Sequence, residues 1–335
     1  MSELRKDPIT GRWVIISTER ARRPSDFELD PVVLSPDPAC PFCEGNEALT
    51  PPEISSERTS GAANQPGWQL RVIPNRFPVL RVEGTLDREG EGLFDKMNGI
   101  GAHEVIIETP RHEDTLATMG DAAVERVLRA FRDRVLDLKK DSRFRYVIIF
   151  KNHGRAAGAK LAHSCSQLIA LPIVPREVRE EVDGAKAHYQ VKERCVFCDV
   201  LRQELTDRRR IVAENTDMVA MSPYAPRFPF ETWIMPRRHR ARFEDAEPHE
   251  FASLARMLGD LLRRMDRMLE HPPYNLLIHT APVAEDAGAY YHWHVEVIPK
   301  LTRVAGFEWA TGFYLNPTAP EEAAQVLRDA RMSGS

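Results

Sequence analysis

The chain has 335 residues, room for two ordinary domains or one large duplicated one, and its 42% hydrophobic and 29% charged content is that of a globular protein. With 46 Lys+Arg against 50 Asp+Glu the formal net charge is -4, which excludes nucleic-acid binding through bulk basic charge, so an anionic ligand must be met locally. Charges at Glu3, Arg5, Lys6 and Asp7, and the lack of an 18-residue uncharged apolar window, argue against secretion and membrane spanning and predict a cytoplasmic protein.

Five cysteines are an odd number, and four fall in two Cys-x-x-Cys pairs, Cys40/Cys43 and Cys195/Cys198. In a chain that is not secreted such pairs point to metal rather than disulfides. Similar segments come after the two pairs. Beyond the first stand Pro74-Asn75-Arg76-Phe77-Pro78, an apolar strand-like run from Glu104 to Glu108, and His112. Beyond the second stand Ala225-Pro226-Arg227-Phe228-Pro229, a run from Glu231 to Met235, and His239. An amphipathic helix is predicted beyond each histidine: Val124, Val127, Leu128, Phe131, Val135 and Leu138 keep helical spacing in one, Phe251, Leu254, Leu258, Leu261, Leu262 and Met265 in the other. The short β-branched runs Tyr146 to Phe150 and Tyr274 to Ile278 then predict strands. Each half closes on a motif strand, His163-Ser164-Cys165-Ser166-Gln167 and His292-Trp293-His294-Val295-Glu296.

The two halves keep register, 51 positions from His112 to His163 and 53 from His239 to His292. We therefore expect an α+β fold of two repeats, 1–175 and 176–335, each a mostly antiparallel sheet with a long helix. A helix from Arg176 to Tyr189 joins them and one from Pro320 to Arg331 closes the chain. A structural zinc site takes four ligands, and the repeat itself nominates the histidines. Two zinc ions per chain are expected, one on Cys40, Cys43, His112 and His163, the other on Cys195, Cys198, His239 and His292. His103, His153, His188, His249 and His271 have no such partners and read as surface or hydrogen-bonded residues.

The motif strand resembles that of the histidine-triad nucleotidyl transferases, and nearly the whole chain resembles the galactose-1-phosphate uridylyltransferases and their plant-type ADP-glucose phosphorylase relatives. The residues that carry this are Asp7 to Trp13, Arg20 to Pro24, Cys40 to Cys43, Pro74 to Pro78, Phe150-Lys151-Asn152, His163 to Gln167, and Gly306 to Pro317. The resemblance implies a duplicated histidine-triad-like fold and a ping-pong transfer of UMP or AMP between a nucleotide sugar and a hexose 1-phosphate or phosphate. UDP-glucose is the leading donor, and a homodimer is implied. It also implies that Gln167 bonds the transferred phosphoryl group, that Asn152 and Ser166 help hold it, and that Arg22 and Asn75 contact the nucleotide. The segment Gly154 to Ala159, with Gly158, lets backbone amides approach the phosphates, and Glu308 and Asn316 belong to the hexose-phosphate segment.

This chain departs from the family at the nucleophile, where the motif has histidine and the sequence has Cys165. Cys165 superposes on His294 of the second half. A nucleotide-sugar binding protein that has lost double displacement, and a zinc-stabilised scaffold, are therefore the alternatives to an enzyme.

Overall fold

The computed structural model describes residues 2–17, 27, 32, 34, 35 and 37–330; Arg22, with the rest of Arg20 to Pro24, lies outside the described residues. The chain opens with β1 (Glu3–Lys6), β2 (Trp13–Ile16), β3 (Ser55–Arg58), β4 (Trp68–Pro74), β5 (Glu89–Glu91), β6 (Phe94–Lys96) and β7 (Ala102–Ile107). It continues through α1 (Asp121–Leu138), β8 (Tyr146–His153), β9 (Cys165–Leu171), α2 (Arg176–Lys192) and α3 (Val196–Asp207). The second half adds β10 (Ile211–Glu214), β11 (Met218–Met221), β12 (Thr232–Pro236), α4 (Pro248–Leu269), β13 (Tyr274–His279) and β14 (His294–Pro299). It ends with α5 (Gly306–Thr311), β15 (Tyr314–Asn316) and α6 (Pro320–Asp329).

Ten strands form one antiparallel sheet in the order β10-β11-β12-β14-β13-β8-β9-β7-β4-β3. Read outward from the central β13–β8 pair, the two halves repeat one order, so β8, β9, β7, β4, β3 match β13, β14, β12, β11, β10. The mostly antiparallel α+β architecture expected from the sequence is therefore what the chain adopts. The duplication does not yield two separate sheets, because β8 and β13 pair over Tyr274↔His153 to Ile278↔Ile149.

Period-2 alternation gives the sheet two unlike faces. On one, Val147, Ile149, Leu168, Val295 and Val297 meet the apolar stripes of α1 and α4 in a single shared core. The stripes lie at the positions that helical spacing nominated. Helix α4 starts where Pro248 occupies the first turn and Glu250 accepts the Glu247 N–H at 2.7 Å. The opposite face is covered in the second half by α2 and α3, through Val178, Val182, Val196 and Phe197 against Val219, Met221 and Met235. In the first half it carries a smaller cluster of Trp68, Ile73, Val105 and Ile107, which leaves the strand ends near Asn152 and Gln167 half-buried.

Three features go beyond the sequence reading. Helix α3 begins inside the second Cys-x-x-Cys, whereas the first pair sits in turns. Part of the segment Gly306 to Pro317 is helical, and its strand β15 joins β2 in parallel to build a three-stranded sheet with β1. The N-terminal loop between β1 and β2 crosses α2 at Gly184, where an added Cβ would stand 1.9 Å from Ile9 O, so this mid-helix glycine is required by the close approach. No helix of the described residues is long and apolar enough to cross a membrane.

Candidate active site and metal centres

The two Cys-x-x-Cys pairs each meet their two predicted histidines, with all four ligand atoms of a group within 4.8 Å of one another. In the first group Cys43 Sγ lies 3.3 Å from His112 Nδ1 and 3.5 Å from His163 Nδ1, and Cys40 Sγ lies 3.7 Å from His163 Nδ1. In the second, Cys198 Sγ lies 3.2 Å from His239 Nδ1 and 3.5 Å from His292 Nδ1. A tetrahedral zinc with bonds of about 2.3 Å to sulfur and about 2.0 Å to nitrogen sets sulfur–nitrogen edges of about 3.5 Å, so both groups could hold such an ion. The far nitrogens of His163 and His239 lie 2.8 Å from Thr109 O and Gly288 O, which fixes Nδ1 as the inward-facing atom. The histidine rings of each pair cross edge to face at 5.4 and 5.3 Å, so the two centres repeat in geometry as well as in sequence.

Each centre ties a Cys-x-x-Cys segment to the residue that enters a motif strand, His163 before β9 and His292 before β14. From there alternation assigns faces. Cys165 and Gln167 point to the open face with Asn152, whereas Ser164 and Ser166 point into the helix-covered core. The Ser166 hydroxyl donates to Glu108 Oε1 at 2.5 Å and is 1% exposed, so it stands behind the strand rather than beside a phosphate. Below the strand Lys151 and Glu108, both fully buried, pair at 2.7 Å; Lys151 Nζ also donates to Ser164 Oγ at 3.0 Å and Cys165 O at 3.1 Å. This network, which the sequence does not announce, holds the motif strand from behind. A lysine in core register with Val147 and Ile149 is the sequence signal that could have revealed it.

On the open face His103 Nε2 lies 2.9 Å from Gln167 Oε1 and 3.0 Å from Asn75 Nδ2, so the buried His103 links half-buried Asn75 and Gln167 on the face that Cys165 shares. Asn275, the cross-strand partner of Asn152, donates to Asn152 Oδ1 at 2.8 Å and to Ala157 O at 2.9 Å. Gly154 and Gly158 both take positive φ, and a Cβ at Gly154 would meet Val32 and Pro273. The amides of Ala157, Gly158 and Ala159 donate to Gly154 and Arg155 carbonyls within this loop, which differs from the expectation that they face a ligand. Cys165 sits against Trp68, Ile73, Val105 and Ile107, and this burial pushes its thiol up to about 11.

The equivalent position in the second half has no access. His294 is 2% exposed and packed between the rings of Trp233 at 4.9 Å and His279 at 4.4 Å. With Glu181 of α2 these two histidines form a third group whose ligand atoms lie within 4.8 Å, and His279, which no sequence motif singles out, also meets Glu296 at 3.2 Å. Burial alone would lower His279, but Glu181 and Glu296 outweigh it and hold it up near 10. Glu296 is further paired to Arg227. The C-terminal candidates separate. Glu308 accepts the Ala305 N–H at 3.0 Å and remains partly exposed beside the exposed Phe307 and Trp309. Asn316 is fully buried with both ends of its amide engaged, donating to Pro226 O at 3.1 Å and accepting from Thr318 N at 2.9 Å.

Comparison with known proteins agrees with this arrangement. The family described as galactose-1-phosphate uridyl transferase matches in both parts, its N-terminal domain over residues 1–175 and its C-terminal domain over 181–331. The chain belongs to this family of nucleotidyltransferases. It is similar to an ADP-glucose phosphorylase of Arabidopsis thaliana, with 36% identity over 99% of this chain and 93% of that protein. It is also similar to the galactose-1-phosphate uridylyltransferase of Thermotoga maritima, with 30% identity over 98% of each. Among solved structures, the Arabidopsis thaliana ADP-glucose phosphorylase with bound ADP-glucose superposes with a TM-score of 0.84 at 34% identity, covering 99% of this chain and 100% of that one.

Proposed function

We propose that the chain transfers a nucleoside monophosphate, AMP or UMP, between a nucleotide sugar and inorganic phosphate or a hexose 1-phosphate, on the open face of the first half. The observation that carries this reading is that Asn152 and Gln167 share the half-buried face of Cys165, with Asn75 linked to Gln167 through His103, against the closure of the twin position at His294. Neutral donors fixed around the non-bridging oxygens stabilise charge as it develops at phosphorus. Cys165 Sγ, having lost its proton to solvent, forms the S–P bond to the α-phosphorus while the bond from that phosphorus to the bridging oxygen breaks and sugar 1-phosphate leaves. An oxygen of the acceptor phosphate then displaces the sulfur. Arg22 is read as a contact to the nucleotide and Glu308 as a contact to the hexose phosphate. The sulfur–nitrogen spacings support zinc in both four-ligand groups, with a structural role, because four protein ligands leave no position for water. A homodimer belongs to the same reading.

ADP-glucose replaces UDP-glucose as the first donor to test, because the 36% identical relative is named for it. A second reading rests on one specific observation: the apolar wall around Cys165 favours the neutral thiol, which does not attack phosphorus. In that case the protein binds the nucleotide sugar without turning it over. Incubation with ADP-glucose or UDP-glucose and either phosphate or galactose 1-phosphate, then chromatography of the nucleotides, separates the readings. Nucleotide exchange supports the transferase. A raised melting temperature with no exchange supports the binder, and neither effect contradicts both.

A further inference from the structure

A primary amide has two unlike ends, and only its NH2 end suits a phosphoryl oxygen. The three amides on the open face each meet a protein group that decides which end turns outward, and each decision traces back to a main-chain atom that cannot reverse its role. For Asn75 the Phe77 backbone N–H donates to Oδ1 at 2.9 Å. For Asn152 the chain of decisions starts at Ala157 O, which can only accept. It takes the Asn275 Nδ2 end, so the same nitrogen meets Asn152 at 2.8 Å and Asn152 must answer with its oxygen. For Gln167 it starts at the Val79 N–H, which can only donate and points at His103 Nδ1 from 3.3 Å. The neutral imidazole then carries its proton on Nε2, and Gln167 Oε1 accepts it at 2.9 Å. Asn75 Nδ2 lies 3.0 Å from the same Nε2, so with a proton there donor meets donor, an unfavourable contact that is relieved when its hydrogens turn from the ring toward a ligand.

From this we infer that His103 and Asn275 are positioning residues of the phosphoryl site. They hold Gln167 and Asn152 with oxygen inward and NH2 outward, and with Asn75 this makes a cradle of three neutral donors preset for an anionic phosphoryl group. The inference rests on the reading that the ligand is the phosphoryl group of a nucleotide sugar. It gives the second half a direct part in the site of the first, since Asn275 belongs to β13. It also makes the site depend on one imidazole tautomer: a proton on Nδ1 would oppose the Val79 N–H and turn Gln167 oxygen-first toward phosphate.

The tautomer is measured on the ligand-free full chain by nitrogen NMR of labelled histidine, which tests the orientation whatever the substrate. Protonation of His103 at Nε2 with Nδ1 bare is expected, and protonation at Nδ1 overturns the inference. Kinetics with ADP-glucose and phosphate test the consequence. His103→Leu, which keeps bulk but removes the donor, should lower kcat roughly ten- to a hundredfold with KM within about twofold, and His103→Gln, which can still donate to Gln167, should recover most of it. A folded His103→Leu protein with wild-type kcat overturns the inference. If the wild-type protein neither binds nor turns over ADP-glucose or UDP-glucose, the substrate reading fails, and the tautomer alone decides the orientation.

Discussion

At the scale of single residues the site is a strand with two differently used faces. Cys165 and Gln167 look outward, and the intervening Ser166 looks inward to Glu108, so neighbours in sequence face the open side and the core in turn. The Lys151–Glu108 pair is the costly element of the inner face, since two charges have left water and are compensated only by each other, two serine hydroxyls and the Cys165 carbonyl. Removing one partner is therefore worse than removing both. Lys151→Met should lose about 3–5 kcal/mol in urea unfolding, and adding Glu108→Gln to it should restore part of the loss. A single variant as stable as wild type would show that the pair does not hold the strand. Cys165 and His294 illustrate the same dependence on surroundings: the cysteine keeps an opening to solvent, whereas α2 and α3 bury the histidine that stands in its place in the second half.

At the scale of elements, distant segments are tied by compact charged networks. Glu321 at the start of α6 accepts from Arg5 of β1 at 2.9 Å and from Arg210 at 2.7 Å, joining the two ends of the chain to the edge of the large sheet. Burial would raise its carboxyl, but the arginine hydrogen bonds outweigh that and hold it at about 2. A carboxylate lowered in the folded state contributes stability above its unfolded value near 4.5 and loses it as the pH falls from there toward 2. Glu321→Gln should thus be less stable than wild type by about 1–2 kcal/mol at pH 7, partial exposure limiting the effect, with the gap closing below about pH 3 in denaturant titrations. An equal gap at both pH values would place the loss in packing instead. The long helices and apolar strands were legible in the sequence because their periodicity is the packing itself: α1 and α4 put every nominated residue in one core. The sheet of β1, β2 and β15 was not, since its strands have three or four residues and pair across opposite ends of the chain. Nor was α3, because a Cys-x-x-Cys reads as a turn and only tertiary packing of Val196, Phe197 and Leu201 decides for helix.

At the scale of the whole molecule a duplicated sequence has become one ten-stranded sheet, whose outer face is covered by helices in the second half and carries only a small cluster in the first. Duplication made the metal ligands legible, since each half nominated the histidines of the other. The same device does not expose His103 or Asn275, whose parts derive from cross-strand register and hydrogen-bond direction, properties with no local sequence pattern. It likewise does not expose Glu181, which reaches the second motif strand only because α2 packs over it. Two zinc ions per chain are expected by metal analysis. Cys195→Ala or His239→Ala should each remove one ion and lower the melting temperature far more than they change donor preference, because closed four-ligand sites contribute directly to folding. Protein purified without metal, or retaining both ions in these variants, would contradict the assignment.

In the function proposed above, nucleotidyl transfer runs on the open face of the first half, through Cys165. It is tested most directly by incubating the protein with ADP-glucose or UDP-glucose labelled at the α-phosphate, quenching, and mapping the labelled peptide by mass spectrometry. A nucleoside monophosphate bound to Cys165 is expected, discharged by added phosphate or hexose 1-phosphate and absent from Cys165→Ser. Label on His294, or exchange that survives Cys165→Ser and disappears in His294→Ala, would contradict it and move the active site to the second half.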